Sequence, residues 1–121
     1  MIQRMTVLFL LCVSLNACSQ GQTVRDATVE RIEVAVVSAV PARAWVTAYG
    51  FLSSGCATLH ETEQRHEGST FFVTITEAEP ANQTCTPEAP PFTEEVMLEG
   101  GSSSGTYTVD VNGVTETFTL P

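Results

Sequence analysis

The chain contains no lysine. Its only fixed cations are five arginines, set against fourteen aspartates and glutamates, for a net charge of −9 over 121 residues. A surface of this sign repels phosphate backbones and anionic membranes alike, so both nucleic acid and an anionic bilayer are poor electrostatic partners. Long apolar runs are missing too. The longest, Thr6 to Leu15, is far shorter than the roughly 20 residues a membrane span needs. Glycine-rich phosphate loops of the Gly-x-Gly-x-x-Gly or Gly-x-x-x-x-Gly-Lys type do not occur, which leaves a nucleotide cofactor without support. There is no Gly-x-Ser-x-Gly turn to expose a nucleophilic serine and no His-Glu-x-x-His to hold zinc. The stretches Ser53-Ser54-Gly55 and Ser102-Ser103-Ser104-Gly105 read instead as flexible turns. No Cys-x-x-Cys spacing is present, so redox chemistry of that kind is also unsupported. The expectation is a chain that is not an enzyme and uses neither cofactor nor metal.

What is present begins with a segment that reads as an export signal. Met1 to Met5 carries one charge, Arg4, and leads into the apolar segment Thr6 to Leu15, which has the length of a signal-peptide h-region. Leu15-Asn16-Ala17-Cys18 then resembles the lipobox of bacterial lipoproteins. That resemblance implies a signal peptide over residues 1–17, cleavage before Cys18 and a lipid on Cys18. With Ser19 rather than aspartate next, it implies an outer-membrane protein facing the periplasm. Ordinary cleavage after Ala17, which needs only a small residue there, is the alternative. The chain after Ala17 keeps four arginines against all fourteen carboxylates, a balance of −10. Acidity on this scale serves solubility or meets a cationic partner. Cys12 leaves with the signal. Cys56 and Cys85 remain, and in an oxidising compartment they read as a structural disulfide worth about 3–4 kcal/mol by loop-closure entropy.

Residues 18–29 read as the lipidated cysteine and a flexible tether that would hold the domain roughly 15–20 Å from the lipid and free to reorient. Residues 30–121 read as one domain of period-2 segments separated by turn residues. Ile32, Val34 and Val36 alternate in the first, and Pro41 ends it. Arg43 to Leu52 is the second, and the polar stretch Cys56 to His66 is the third. Phe71, Val73 and Ile75 mark the fourth. A proline-rich loop runs from Glu79 to Pro91, and Phe92, Glu94, Val96 and Leu98 mark the fifth strand. Tyr107, Val109 and Val111 precede Asn112-Gly113, a pair that favours a two-residue hairpin turn with positive φ, and Val114 to Leu120 resumes the alternation. About seven strands and no helix predict an all-β fold, a single immunoglobulin-like antiparallel sandwich. Gly105-Thr106-Tyr107 resembles the tyrosine position of such sandwiches, which implies a hydroxyl bonded back to the preceding turn. Gly50-x-Leu52-x-x-Gly55-Cys56, Cys85, Pro91-Phe92 and Gly105-x-Tyr107-x-Val109-x-Val111-Asn112-Gly113 also resemble an uncharacterised exported bacterial domain.

Few residues stand out as site candidates. His60 and His66 fall on one strand face but about 20 Å apart, too far to share an ion, so a solvated polar strand is expected there. Asn82-Gln83-Thr84 matches a glycosylation sequon and reads as ordinary loop. In the second strand, period 2 separates Trp45, Thr47, Tyr49 and Phe51 from Val46, Ala48, Gly50 and Leu52. If the aliphatic face is buried, Trp45, Tyr49 and Phe51 form an outward row able to stack on a sugar or a partner chain. The register of the aliphatic face up to Leu52 points that way. The large burial that aromatics offer a small domain points the other way, and the balance tips toward an aromatic core. The functional expectation is a lipid-anchored envelope protein of binding or accessory type, with an envelope protein or glycan as partner. Two alternatives stand beside it: a protease inhibitor presenting the Glu79 to Pro91 loop, and a purely structural envelope lipoprotein.

Overall fold

A computed structural model describes residues 21–100 and 103–121; Cys18 and the signal segment lie outside the described residues. Eight strands form among them: β1 (Gln22–Asp26), β2 (Thr28–Val37), β3 (Arg43–Phe51), β4 (Thr58–Glu67), β5 (Thr70–Pro80), β6 (Pro91–Met97), β7 (Gly105–Val111) and β8 (Val114–Leu120). β2, β3 and β6 make a three-stranded antiparallel sheet with β3 in the middle. The second sheet is built on β5. β4 pairs along one of its edges, while the other edge is shared, β7 alongside residues 70–73 and β1 alongside residues 76–80. β8 completes this sheet as the partner of β7.

The all-β sandwich is therefore the fold, and it departs from expectation in two places. β5 and β7 run parallel. The chain leaves β6 at one end of the molecule and crosses to the other sheet, so β7 enters from the end where β5 also begins. The second departure is β1. Residues assigned to the tether form a strand, with Thr23 and Arg25 opposite Glu79 and Glu77 of β5. Ala27 is the pivot: it is buried, its amide donates to the Ile75 carbonyl at 2.9 Å, and the chain then passes into the other sheet as β2. Polar side chains hid this strand from a periodicity argument, because an edge strand needs backbone partners rather than an apolar face.

Alternation fills the space between the sheets. Phe71, Val73 and Ile75 of β5, Tyr107, Val109 and Val111 of β7, and Phe118 and Leu120 of β8 face Ile32, Ala44, Val46, Ala48, Phe92 and Val96. The β5–β7–β8 side supplies the bulky groups, so the facing strand must be thin for the sheets to approach. β3 is thin: Ala44, Val46, Ala48 and Gly50 point inward. A methyl group on Gly50 would meet the Phe92 ring at 2.8 Å and collide with the Thr28 carbonyl. The expected aromatic core of β3 is thus overturned. Its aromatics stand outside because the core is already filled from across the gap.

The two ends of the sandwich are closed differently. At one end Phe71, Tyr107 and Phe118 stack at centroid distances of 5.5–5.9 Å, and His66 lies on Phe71 at 4.4 Å. The Tyr107 hydroxyl donates to the Ser103 carbonyl at 2.8 Å, bonding back to the turn as its position implied. At the other end, Cys56 and Cys85 are joined in a disulfide with Cα atoms 5.5 Å apart. Leu52 and Gly55 also donate their amides to the carbonyls of Pro90 and Thr86. The Asn112 and Gly113 turn has φ of +50° and +92°, as the hairpin required.

Candidate functional site: the outer face of the three-stranded sheet

β3 sits between β2 and β6, so its outward side chains form the midline of an open face. Trp45 lies between Ala35 and Met97, Thr47 between Glu33 and Glu95, Tyr49 between Arg31 and Thr93, and Phe51 between Thr28 and Pro91. Trp45 and Tyr49 are half-buried by these neighbours and Phe51 is 38% exposed. The sequence-derived row of Trp45, Tyr49 and Phe51 therefore exists on one continuous surface, spaced by about 6.6 Å per pair of residues where it alternates without interruption.

The three rings are not equivalent. Arg31 stacks its guanidinium 3.7 Å above the centre of the Tyr49 ring and pairs with Glu33 at 2.6 Å. The Tyr49 hydroxyl donates to the other Glu33 oxygen at 3.2 Å. Tyr49 is thus already engaged on one face and at its hydroxyl, which fixes its orientation. Trp45 and Phe51 flank this locked centre. Beyond Trp45, residues Pro41, Arg43, Met97 and Glu99 border a cleft of ≈ 300 Å³. Arg43 touches the Met97 sulfur at 3.9 Å and has no carboxylate within ion-pair distance among the described residues. The other arginines of the domain are paired, Arg25 with Glu79, Arg31 with Glu33 and Arg65 with Glu67. The face offers two partly exposed aromatics, a stacked cation and one unpaired guanidinium.

The remaining sequence candidates fall elsewhere. His60 and His66 do not share a face. A bulge between Leu59 and Thr62 inserts an extra residue opposite β5, so Thr62, Gln64 and His66 turn toward Ile75, Val73 and Phe71 while His60 turns outward. Among the described residues no group of three or more His, Cys, Asp or Glu is arranged to hold a metal ion. The Glu79 to Pro91 loop is shorter than expected: Glu79 and Pro80 end β5, Pro91 begins β6, and residues 81–90 form an exposed segment clamped by the disulfide. Two functional-looking side chains escaped the sequence reading. Gln64 donates to the Met97 carbonyl and accepts from the Glu99 amide, both at 3.0 Å, tying the edge of one sheet to the other. Glu77 is buried and accepts the Ser53 amide at 3.0 Å, closing the turn next to the disulfide. Neither had a local signal, because their partners lie 24 to 35 residues away.

The profile of the ORF11 beta-sandwich domain family matches residues 46–120, from the middle of β3 to the end of β8. The chain belongs to this family. The matched span of the ORF11 domain includes Tyr49, Phe51, both disulfide cysteines, Tyr107 and Asn112, and it leaves Trp45 one residue outside. Relatives occur in Herpetosiphon aurantiacus. The uncharacterized 10.2 kDa protein in the HgiCIIM 5′ region is 30% identical over 92 residues, 76% of this chain and 98% of that protein. The uncharacterized 10.2 kDa protein in the HgiBIM 5′ region is 33% identical over 81 residues, 67% of this chain and 99% of that protein. No solved structure matches at a significant level.

Proposed function

We propose that this ORF11-type sandwich is a non-catalytic binding or accessory protein of the bacterial cell envelope. It is exported, cut before Cys18 and lipid-anchored there, with the outer membrane facing the periplasm as its place. The observation that carries the binding reading is the outward row on β3. The buried core does not include Trp45 and Phe51, so the exposed part of each ring is apolar surface that a ligand can still bury. The partner is a glycan or an envelope protein presenting a flat or ring-shaped apolar surface. The lipobox-like Leu15-Asn16-Ala17-Cys18 supports the anchor, and the Cys56–Cys85 disulfide supports an oxidising compartment.

Two measurements test this reading. Intact mass of the membrane-fraction protein, beside Cys18→Ser, is expected to match acylated residues 18–121 less two hydrogens. For the face, Trp45→Ala and Phe51→Ala are expected to cut retention of an envelope partner or glycan at least tenfold at a temperature where unfolding measurements show each variant fully folded, with Trp45→Ala lowering the midpoint more because its ring is half-buried. Retention that survives both substitutions removes the face from the reading. Turnover of a substrate by the purified domain, abolished by a single substitution, removes the non-catalytic reading altogether. The clamped, exposed segment 81–90 favours a second reading, protease inhibition, since a preorganised loop loses little entropy on docking. Absence of inhibition of exported proteases at micromolar concentration sinks it.

A further inference from the structure

The start of the described chain restricts how an anchored domain can stand on a bilayer. Gly21 is not loose: its carbonyl accepts the Ala81 amide at 2.7 Å, and Gln22 pairs with Pro80. Only Ser19 and Gln20 separate this fixed point from Cys18, a reach of about 10 Å even when fully extended. The flexible tether of residues 18–29 is therefore reduced to a short leash, and its attachment point is at one end of the sandwich. That end carries residues 81–90, the turn from Leu52 to Ala57, and the Cys56–Cys85 disulfide. The opposite end carries the turn between β2 and β3, the Arg43 cleft and the Tyr107 cluster.

Charge is distributed to match. Residues 81–90 contain one acid, Glu88, and residues 52–57 contain none, in a domain whose balance is −10. Near them Glu77 is buried and Glu79 is held by Arg25 at 3.7 Å and by the Ser53 hydroxyl at 3.3 Å. Asp26 and Glu30 lie on the strands that lead into this end, and the other acids are spread farther along the strands and over the far end. An anionic headgroup layer repels that far end and the strand faces more than it repels the leashed end.

We infer that the disulfide-clamped end, residues 52–57 and 81–90, rests on the lipid headgroups, so that β3 stands away from the bilayer and the Arg43 cleft points outward. This rests on lipid attachment at Cys18. Its consequence is that the loop is turned away from soluble enzymes, whereas Trp45, roughly 20 Å beyond Phe51 along β3, is presented to partners in the aqueous space.

The chain has one tryptophan, which makes the orientation measurable. Acylated protein is placed in vesicles of phosphatidylethanolamine and phosphatidylglycerol containing a headgroup spin-labelled lipid, and tryptophan emission is recorded. Trp45 is expected to be quenched weakly. The double variant Trp45→Phe with Thr84→Trp is expected to be quenched at least threefold more, and Gln83→Trp, at a second exposed position, serves if the first variant folds poorly. Ten Gly/Ser residues inserted after Ser19 are expected to erase the difference. Equal quenching at positions 45 and 84 in acylated protein overturns the orientation and leaves the anchor intact. An intact mass without acyl groups removes the anchor and the orientation with it.

Discussion

Asn112 shows how much one side chain contributes where three strands meet. β1 ends and β7 ends on the same edge of β5, which leaves backbone groups without a ladder. The Asn112 side-chain carboxamide fills the gap: its Oδ1 accepts from the Ile75 amide at 2.9 Å and its Nδ2 donates to the carbonyls of Ile75 and Ala27 at 2.8 and 2.7 Å. Its own amide donates to Val73 at 3.1 Å, and its φ of +50° suits asparagine better than most residues. Asn112→Ala is expected to destabilise the domain by about 2–4 kcal/mol, the cost of leaving buried backbone groups unpaired, measurable by urea unfolding. Asn112→Gly relieves the φ but loses the same bonds, so it should recover little. Two glycines separate a rigid neighbour from a yielding one. Gly50→Ala drives a methyl into backbone and the Phe92 ring and should cost about 3 kcal/mol or prevent folding. Gly55→Ala meets only the Thr86 side chain at closest approach, which can rotate, so its thermal midpoint should fall far less.

At the scale of elements, the sandwich is held by devices that join strands distant in sequence. The disulfide ties the turn after β3 to the segment after β5 across 29 residues. Cys56→Ser with Cys85→Ser is expected to lower stability by about 3–4 kcal/mol without changing the fold, as judged by the denaturant midpoint and an unchanged far-ultraviolet spectrum. Gln64 acts on the opposite half, where the edge strand β4 meets the end of β6. Gln64→Glu places a carboxylate oxygen against the Met97 carbonyl in place of the donor and should cost about 1–3 kcal/mol. Hydrogen exchange at the Glu99 amide, whose acceptor is the Gln64 carbonyl, is the sensitive readout for Gln64→Ala: its protection should drop while that of Val109 stays high. Only the first of these devices was readable in the sequence. Two cysteines in a small domain announce themselves by composition, whereas one glutamine among polar neighbours carries no mark of its partner.

Over residues 18–121, the acidic balance of −10 has no matching pool of cations, and among the described residues only three arginine–carboxylate pairs offset it. Self-repulsion of this kind is screened by salt. The unfolding midpoint is therefore expected to rise between 10 and 150 mM sodium chloride, most clearly in scanning calorimetry. A midpoint that falls would mean that the exposed ion pairs outweigh the net repulsion. The same distribution underlies the proposed stance on the bilayer, which sets residues 52–57 and 81–90 toward the headgroups.

The all-β class, the Asn112 and Gly113 hairpin and the pairing of Cys56 with Cys85 were determined by the sequence itself, whereas the bond from Tyr107 to its preceding turn was implied by resemblance to immunoglobulin-like sandwiches. The first three are local or follow from composition: period-2 alternation, residues that tolerate positive φ, and the two cysteines that remain beyond Cys18. Which face of β3 is buried was not, because both faces can be apolar and the choice depends on the volume delivered by Phe71, Tyr107 and Phe118 from the other sheet. The pairing of β1 was hidden for a related reason, since its stability comes from backbone bonds to β5, more than fifty residues on. The bulge that separates His60 from His66 likewise exists only as a mismatch with β5. Tertiary structure decided these points because each is a relation between strands, and a single strand's sequence records only its own alternation.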